Sequence, residues 1–320
     1  MSKGKRVLKN RKRRGWLTGL LVAAAILVTG GLAAWKLMVP EPSVAVPAMG
    51  AEDPARSESG LYKRKDRCWT FLLVGIDKVG SNTDSLMIVT YNVGEQTVSV
   101  ASIPRDTCVN VQRRLKKINA AYANGGMDQL REEVSRTFGI PIDFYIKAGV
   151  QGFVSLVDAV GGVDFEVPCN MSYDDPAQGL SIHYQQGMQH LTGQQALEVC
   201  RFRHNNDNTG YNDTGRMETQ RGVLTAIAKK LLAWNNITKI GSYLQTVTEY
   251  VETDLSVTDM MWFAEKALSF DTQNLNTMMM PASWRNPYMY LHPEETLELV
   301  NQYLNPYTTD RTADMLDIVP

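Results

Sequence analysis

The sequence predicts a single α/β domain, a central mixed β-sheet flanked by helices on both faces, preceded by an N-terminal transmembrane helix. Three observations predict it. A charge-free run from Trp16 to Trp35 follows a strongly basic head. Short β-rich apolar runs mingle with helical ones from Trp69 to about Tyr303. No second Pro- or Ser-rich linker interrupts that stretch. A chain of 320 residues, 44% hydrophobic and 21% charged, has ample material for a sizeable core.

The N-terminal run is long enough to span a bilayer. Twenty helical residues rise roughly 30 Å, the hydrocarbon thickness. Trp16 and Trp35 stand at its ends, where amphipathic rings favour the lipid interface. Lys3, Lys5, Arg6, Lys9, Arg11, Lys12, Arg13 and Arg14 precede it and only Lys36 closely follows, which orients the N-terminus to the cytoplasm. A cleaved signal peptide competes, but its apolar region spans only about 7–15 residues, so the length favours an uncleaved anchor. The expected organisation is a basic cytoplasmic head (1–15), a transmembrane signal anchor (16–38), an extended linker (39–66), an extracytoplasmic domain (67–306) and a C-terminal tail (307–320). Pro40, Pro42, Pro47 and Pro54 give the linker its extended character.

The formal charge of −1 conceals segregation: once the basic head is set aside, the remainder is net acidic. Such a body is a poor partner for nucleic acid, so none is expected. Cys68, Cys108, Cys169 and Cys200 are widely spaced without a C-x-x-C, which excludes zinc-ribbon and thioredoxin-type sites. Disulfides and buried thiols both remain open. The four histidines lack H-E-x-x-H spacing, and neither a P-loop nor a G-x-S-x-G elbow occurs.

Within the body, Trp69–Ile76 reads as a buried strand. Leu86–Tyr91 and Thr97–Ile103 read as a hairpin joined by Asn92–Gln96. Asp128–Phe138 reads as a helix stopped by Gly139 and Pro141. A strand at Asp143–Lys147, a helix at Val150–Val160 and a strand at Val163–Val167 follow. Thr192 can cap a helix through Arg201, and Gly215–Trp234 is a long helix with Lys229 and Lys230 near its end. Ser256–Ser269 and Pro293–Leu304 are helical, with a late strand at Leu275–Met280 between them.

Three polar clusters fall at element ends, where α/β proteins place their sites. The loop after the first strand offers Asp77 and Asp84, hard oxygen donors suited to Mg²⁺ (or Mn²⁺) completed by water and phosphate. Arg105-Asp106 follows a buried strand and Pro104, which fixes where the guanidinium points, as bidentate phosphate recognition requires. Arg201 and Arg203 flank Phe202, so in extended chain both cations face one way. Asp213 opens the next helix, in which Arg216 and Gln220 share a face. Together these clusters describe a site for a phosphorylated ligand with a divalent ion.

The chain resembles the LytR-CpsA-Psr family of membrane-anchored bacterial cell-wall proteins. The resemblance rests on Leu72-Leu-Val-Gly-Ile-Asp77, Thr83-Asp-Ser85, Ser102-Ile-Pro-Arg-Asp-Thr107 and Lys117-Ile-Asn-Ala-Ala-Tyr122. It continues through Val157-Asp-Ala-Val-Gly-Gly-Val163, Gly187-Met-Gln-His-Leu191, Arg201-Phe-Arg203 and Asp213-Thr-Gly-Arg216 with Gln220-Arg221. It implies a phosphotransferase on an α/β scaffold. Such an enzyme moves a glycopolymer (teichoic acid, capsule or other secondary wall polymer) from a polyprenyl-pyrophosphate carrier to peptidoglycan, forming a phosphodiester. By residue-wise correspondence, Asp77 and Asp84 associate with the metal. Arg105, Arg201, Arg203 and Arg216 contact the pyrophosphate, and we add Gln220 and Lys117 as candidate contacts beside them. Arg105 and Arg203 act in catalysis, with Asp106 or Asp213 as the base that activates a sugar hydroxyl. Partners are then the lipid-linked polymer, peptidoglycan and membrane lipid.

The chain also departs from the family pattern. Val79, Thr83 and Thr219 stand at or near places where members commonly carry arginines; Lys78, Lys117 or Arg221 offer partial replacement. Fewer cations keep two other activities in view: non-catalytic binding or sensing of polyprenyl-linked precursors, and hydrolysis of the lipid pyrophosphate.

Overall fold

The computed structural model describes residues 40–43, 62–76, 83–176, 179–207, 209–210, 213–232, 251–267 and 270–319. The expected head, the anchor and most of the linker lie outside them, as do Asp77 and Val79. Among the described residues no helix is long and apolar enough to cross a membrane. Two units are described separately. The smaller comprises Pro40–Ser43 and Ser256–Phe263. In it, Ser256 Oγ and backbone N both bond Asp259 Oδ2, and the Trp262 and Phe263 rings meet edge to face. The larger unit holds everything else.

The frame of the larger unit is a six-stranded mixed sheet in the order β10-β3-β2-β1-β4-β9. Its strands are β1 (Cys68–Ile76), β2 (Thr83–Asn92), β3 (Thr97–Ile103), β4 (Phe144–Ala148), β9 (Val251–Thr253) and β10 (Leu275–Met279). β1, β3, β4 and β10 run one way, and β2 and β9 the other. One face carries Leu72, Val74, Leu86, Ile88, Ala101 and Ile103, set opposite one another by the register Leu72↔Ile88↔Ala101 and Val74↔Leu86↔Ile103. Onto it packs helix α1 (Ala120–Phe138) through Ala121, Leu130, Val134 and Phe138, all closed to solvent. Burial of each such side chain contributes about 1.5–3 kcal/mol.

The expected start of α1 at Asp128 reflects a real break. Gly125 and Gly126 have non-helical dihedrals, and the turn from Ala120 precedes them. Gly139 ends the helix at φ +65, and a Cβ there would stand 2.6 Å from the Met315 carbonyl oxygen.

A second apolar cluster gathers around α2 (Val150–Ala159), β5 (Val163–Val167), α3 (Gly193–Arg201) and α4 (Asp213–Leu232), with Val157, Val163, Val199, Phe202 and Val223 fully buried. Thr192 closes a capping box with Gln195 at the start of α3. Six strands in this unit go beyond the expected set: β9 at the edge of the large sheet, and β6 (Met171–Asp175), β7 (Leu180–Tyr184), β8 (Gly187–Leu191), β11 (Ala282–Arg285) and β12 (Tyr288–Leu291) in two-stranded ladders. A helix at Pro293–Leu299 runs into a wide turn, Val300–Leu304.

Residues 62–66 pack against the body: Lys65 N donates to Pro306 O, and Arg64 bonds the buried Asp143. So do residues beyond the expected domain end at 306. Tyr307 and Arg311 are buried, and Val109 pairs with Ile318. The four cysteines are free thiols.

Candidate functional site

The sheet register collects the sequence motifs at one end. β1, β3, β4 and β10 all finish there, and antiparallel β2 begins there. Gly75 pairs with Ser85 and with Ala148, Leu86 with Ile103, and Met279 with Ser102. Arg105 lies two residues beyond Ile103, with Pro104 between them. This edge, the carboxyl end of the parallel strands, is where open α/β sheets bind ligands. Ile76 pairs with Thr83, so the residues preceding Asp77 and Asp84 are cross-strand neighbours. Asp77 lies outside the described residues.

α4 reaches the same edge. Ser85 Oγ donates to Gln220 Oε1 at 3.3 Å, and Gln220 Nε2 donates to the Cys200 carbonyl at 3.3 Å. One amide therefore joins Thr83-Asp-Ser85, the stretch before Arg201-Phe-Arg203, and the helix that Asp213 opens. Arg216, one turn earlier on the same face, is buried. The expected extended Arg-Phe-Arg unit needs adjustment: Arg201 is the last residue of α3, and extended chain begins at Phe202 (φ −61, ψ 137). Phe202 is fully buried, Arg201 half-buried and Arg203 exposed.

Arg105, Asp106 and Lys117 meet in a cleft of about 510 Å³, lined also by Arg113, Arg114, Asn119 and Asn124. Short backbone bonds assemble it: Val109 N to Lys116 O, Ile118 N to Thr107 O, and Asn119 N to Arg105 O. Lys117 Nζ pairs with Asp106 Oδ1 at 2.9 Å. The β11–β12 hairpin abuts this segment, since Met289 N donates to Asp106 O and Cys108 N to Met289 O.

Ser85 at the sheet end, and Arg113 and Glu133 beside the cleft, are not among the residues expected from sequence. Burial pushes the Cys200 thiol up to about 12, so it takes no part as a thiolate nucleophile at neutral pH. Among the described residues no group of three or more His, Cys, Asp or Glu side chains gathers to hold a metal.

Comparison with known proteins agrees with this architecture. Residues 47–305 match the profile of the LytR-CpsA-Psr family. The chain is 30% identical over 312 residues to the polyisoprenyl-teichoic acid–peptidoglycan teichoic acid transferase TagV of Bacillus subtilis, covering 92% of this chain and 79% of that protein. It is 32% identical over 273 residues to the corresponding TagU of Bacillus anthracis, covering 83% and 86%. The crystal structure of B. subtilis TagV superposes with a TM-score of 0.64 at 26% identity, over 80% of this chain and all of the other. With the sheet, the ordered motifs and these matches in agreement, the chain belongs to the LytR-CpsA-Psr family.

Proposed function

We propose that this protein transfers a teichoic-acid-type wall glycopolymer from a polyprenyl-pyrophosphate carrier to peptidoglycan. The observation that carries the proposal is the gathering of Ser85, Arg105 and Gln220 at one sheet end, with Arg216 one turn away on α4. The relatives' transferase names support the same activity.

In the proposed reaction a peptidoglycan hydroxyl oxygen attacks the phosphorus that bears the polymer. The bond from that phosphorus to the bridging oxygen breaks, and polyprenyl phosphate leaves. Negative charge grows on the bridging and non-bridging oxygens, and guanidiniums fixed before reaction stabilise it without reorganising. Arg105, Arg201, Arg203 and Arg216 are placed in that role, with Gln220 and Lys117 orienting the donor. Asp106 or Asp213 takes the hydroxyl proton.

An all-oxygen donor pair, Asp77 and Asp84 following the Ile76↔Thr83 pair, fits Mg²⁺ or Mn²⁺. Bound there, the ion supplies charge neutralisation at the pyrophosphate. The second face of the sheet supports a lipid substrate. Leu73, Val89, Val100 and Ile146 project there, half-buried and outside both apolar clusters. In this reading the isoprenoid tail lies along that face and the Trp16–Trp35 segment anchors the protein beside the membrane.

A second reading, binding or hydrolysis without transfer, draws on Thr83 and Thr219. Both are buried, at or near positions where the family resemblance leads one to expect arginines. Incubating the purified protein with Mg²⁺, a lipid-pyrophosphate sugar donor and peptidoglycan oligomers separates the readings by mass spectrometry. Phosphodiester-linked product supports transfer; free polymer phosphate indicates hydrolysis; unchanged donor that co-purifies with the protein indicates binding alone.

A further inference from the structure

The loop that carries Lys117 into the cleft is tied down by one side chain. Arg113 folds back over its own loop, where Nε donates to Leu115 O at 2.7 Å and Nη2 to Lys117 O at 2.6 Å. Its Nη1 bonds Glu133 Oε1 on α1. Glu133 is fully closed to solvent, and the same oxygen accepts Gln129 Nε2 at 2.9 Å. A buried carboxylate without a cation is costly, so Glu133 holds the guanidinium, and the guanidinium holds two loop carbonyls. The loop in turn presents Lys117 to Asp106 and, through Asn119 N, fixes the backbone of Arg105.

We propose that Arg113, locked by Glu133, is a positioning residue that acts through Lys117 to set the cationic cleft for the donor's anionic head group. The proposal rests on the transferase reading above. It assigns Arg113 no contact with the reacting atoms. A planar fork with donors in three directions can satisfy a carboxylate and two carbonyls together, whereas an ammonium on a flexible stem cannot hold the same three in one plane.

A double-mutant cycle tests it in the full-length protein with a lipid-pyrophosphate sugar donor and peptidoglycan oligomers, below the unfolding temperature of every variant. Arg113→Met raises the KM for donor about tenfold or more and leaves the KM for acceptor unchanged; Arg113→Lys gives little rescue. In a Lys117→Ala background Arg113→Met adds nothing further, because the residue it positions is gone. Glu133→Gln, which keeps the shape, reproduces the Arg113→Met pattern and guards against misfolding of any single variant. Multiplicative losses in the cycle, or equal effects on donor and acceptor, overturn the inference while wild-type turnover stands. Failure of the wild-type protein to bind or turn over the donor overturns the transferase reading, and the inference with it.

Discussion

The hydroxyl of Ser85 donates to the side-chain oxygen of Gln220 across 3.3 Å and 135 residues of sequence. This bond ties the start of β2 to the face of α4 that also carries Arg216. Because the other end of the same amide bonds Cys200 O, a change at Gln220 loosens two motifs at once. Gln220→Ala is expected to lower kcat/KM for donor at least tenfold. The two bonds together stabilise the fold by only about 1–3 kcal/mol, so steady-state kinetics on folded variant should detect the loss.

Asp143 anchors the body away from the site. It is fully buried and accepts Arg64 Nη1, Arg64 Nη2, Thr70 N and Thr70 Oγ1. Arg64→Met strands this carboxylate and is expected to cost about 3–5 kcal/mol in denaturant unfolding. Below the unfolding transition, turnover per folded molecule should stay close to that of the parent.

Two thiols make the fold sensitive to alkali. Burial raises Cys68 to about 11 and Cys200 to about 12, both from an ordinary value near 9. The unfolded chain therefore sheds these protons first. Their contribution is fully present below pH 9 and is lost as pH climbs from 9 towards 11, at roughly 1.4 kcal/mol per unit and thiol. Urea melts across that range should fall steeply for the parent and less steeply for Cys200→Ala.

Gly193 marks a close approach of α2 and α3. A Cβ at this position would lie 2.2 Å from Val154 O, and Gly193 N donates to Asp158 Oδ1 at 2.7 Å. Gly193→Ala must separate the two helices and break that cap. A loss of about 2 kcal/mol or more is expected. Thermal unfolding measures it.

The elements legible in the sequence were those whose own residues settle their geometry. β1 and β3 read as apolar runs, and Thr192 announced the start of α3, where it caps the helix and closes a box with Gln195. β6 escaped because Met171-Ser-Tyr-Asp-Asp175 carries acids and a serine. Its alternation becomes visible only when β7 pairs with it. β11 and β12 escaped for a related reason: each is only four residues long, and the hairpin forms against Asp106 and Cys108, far away in sequence. At the site, Arg105, Asp106 and Lys117 were named from sequence and share one cleft. Arg113 and Glu133 stayed hidden, since an arginine in a basic loop and a glutamate on a helix look like solvated surface until burial is known.

The most direct measurement is the rate of polymer transfer to peptidoglycan by Arg105→Ala and Arg203→Ala, each checked for parental unfolding behaviour. If these guanidiniums hold the donor's diphosphate, each substitution lowers transfer by about a hundredfold or more with the fold intact. Transfer at the parental rate in either folded variant contradicts the account.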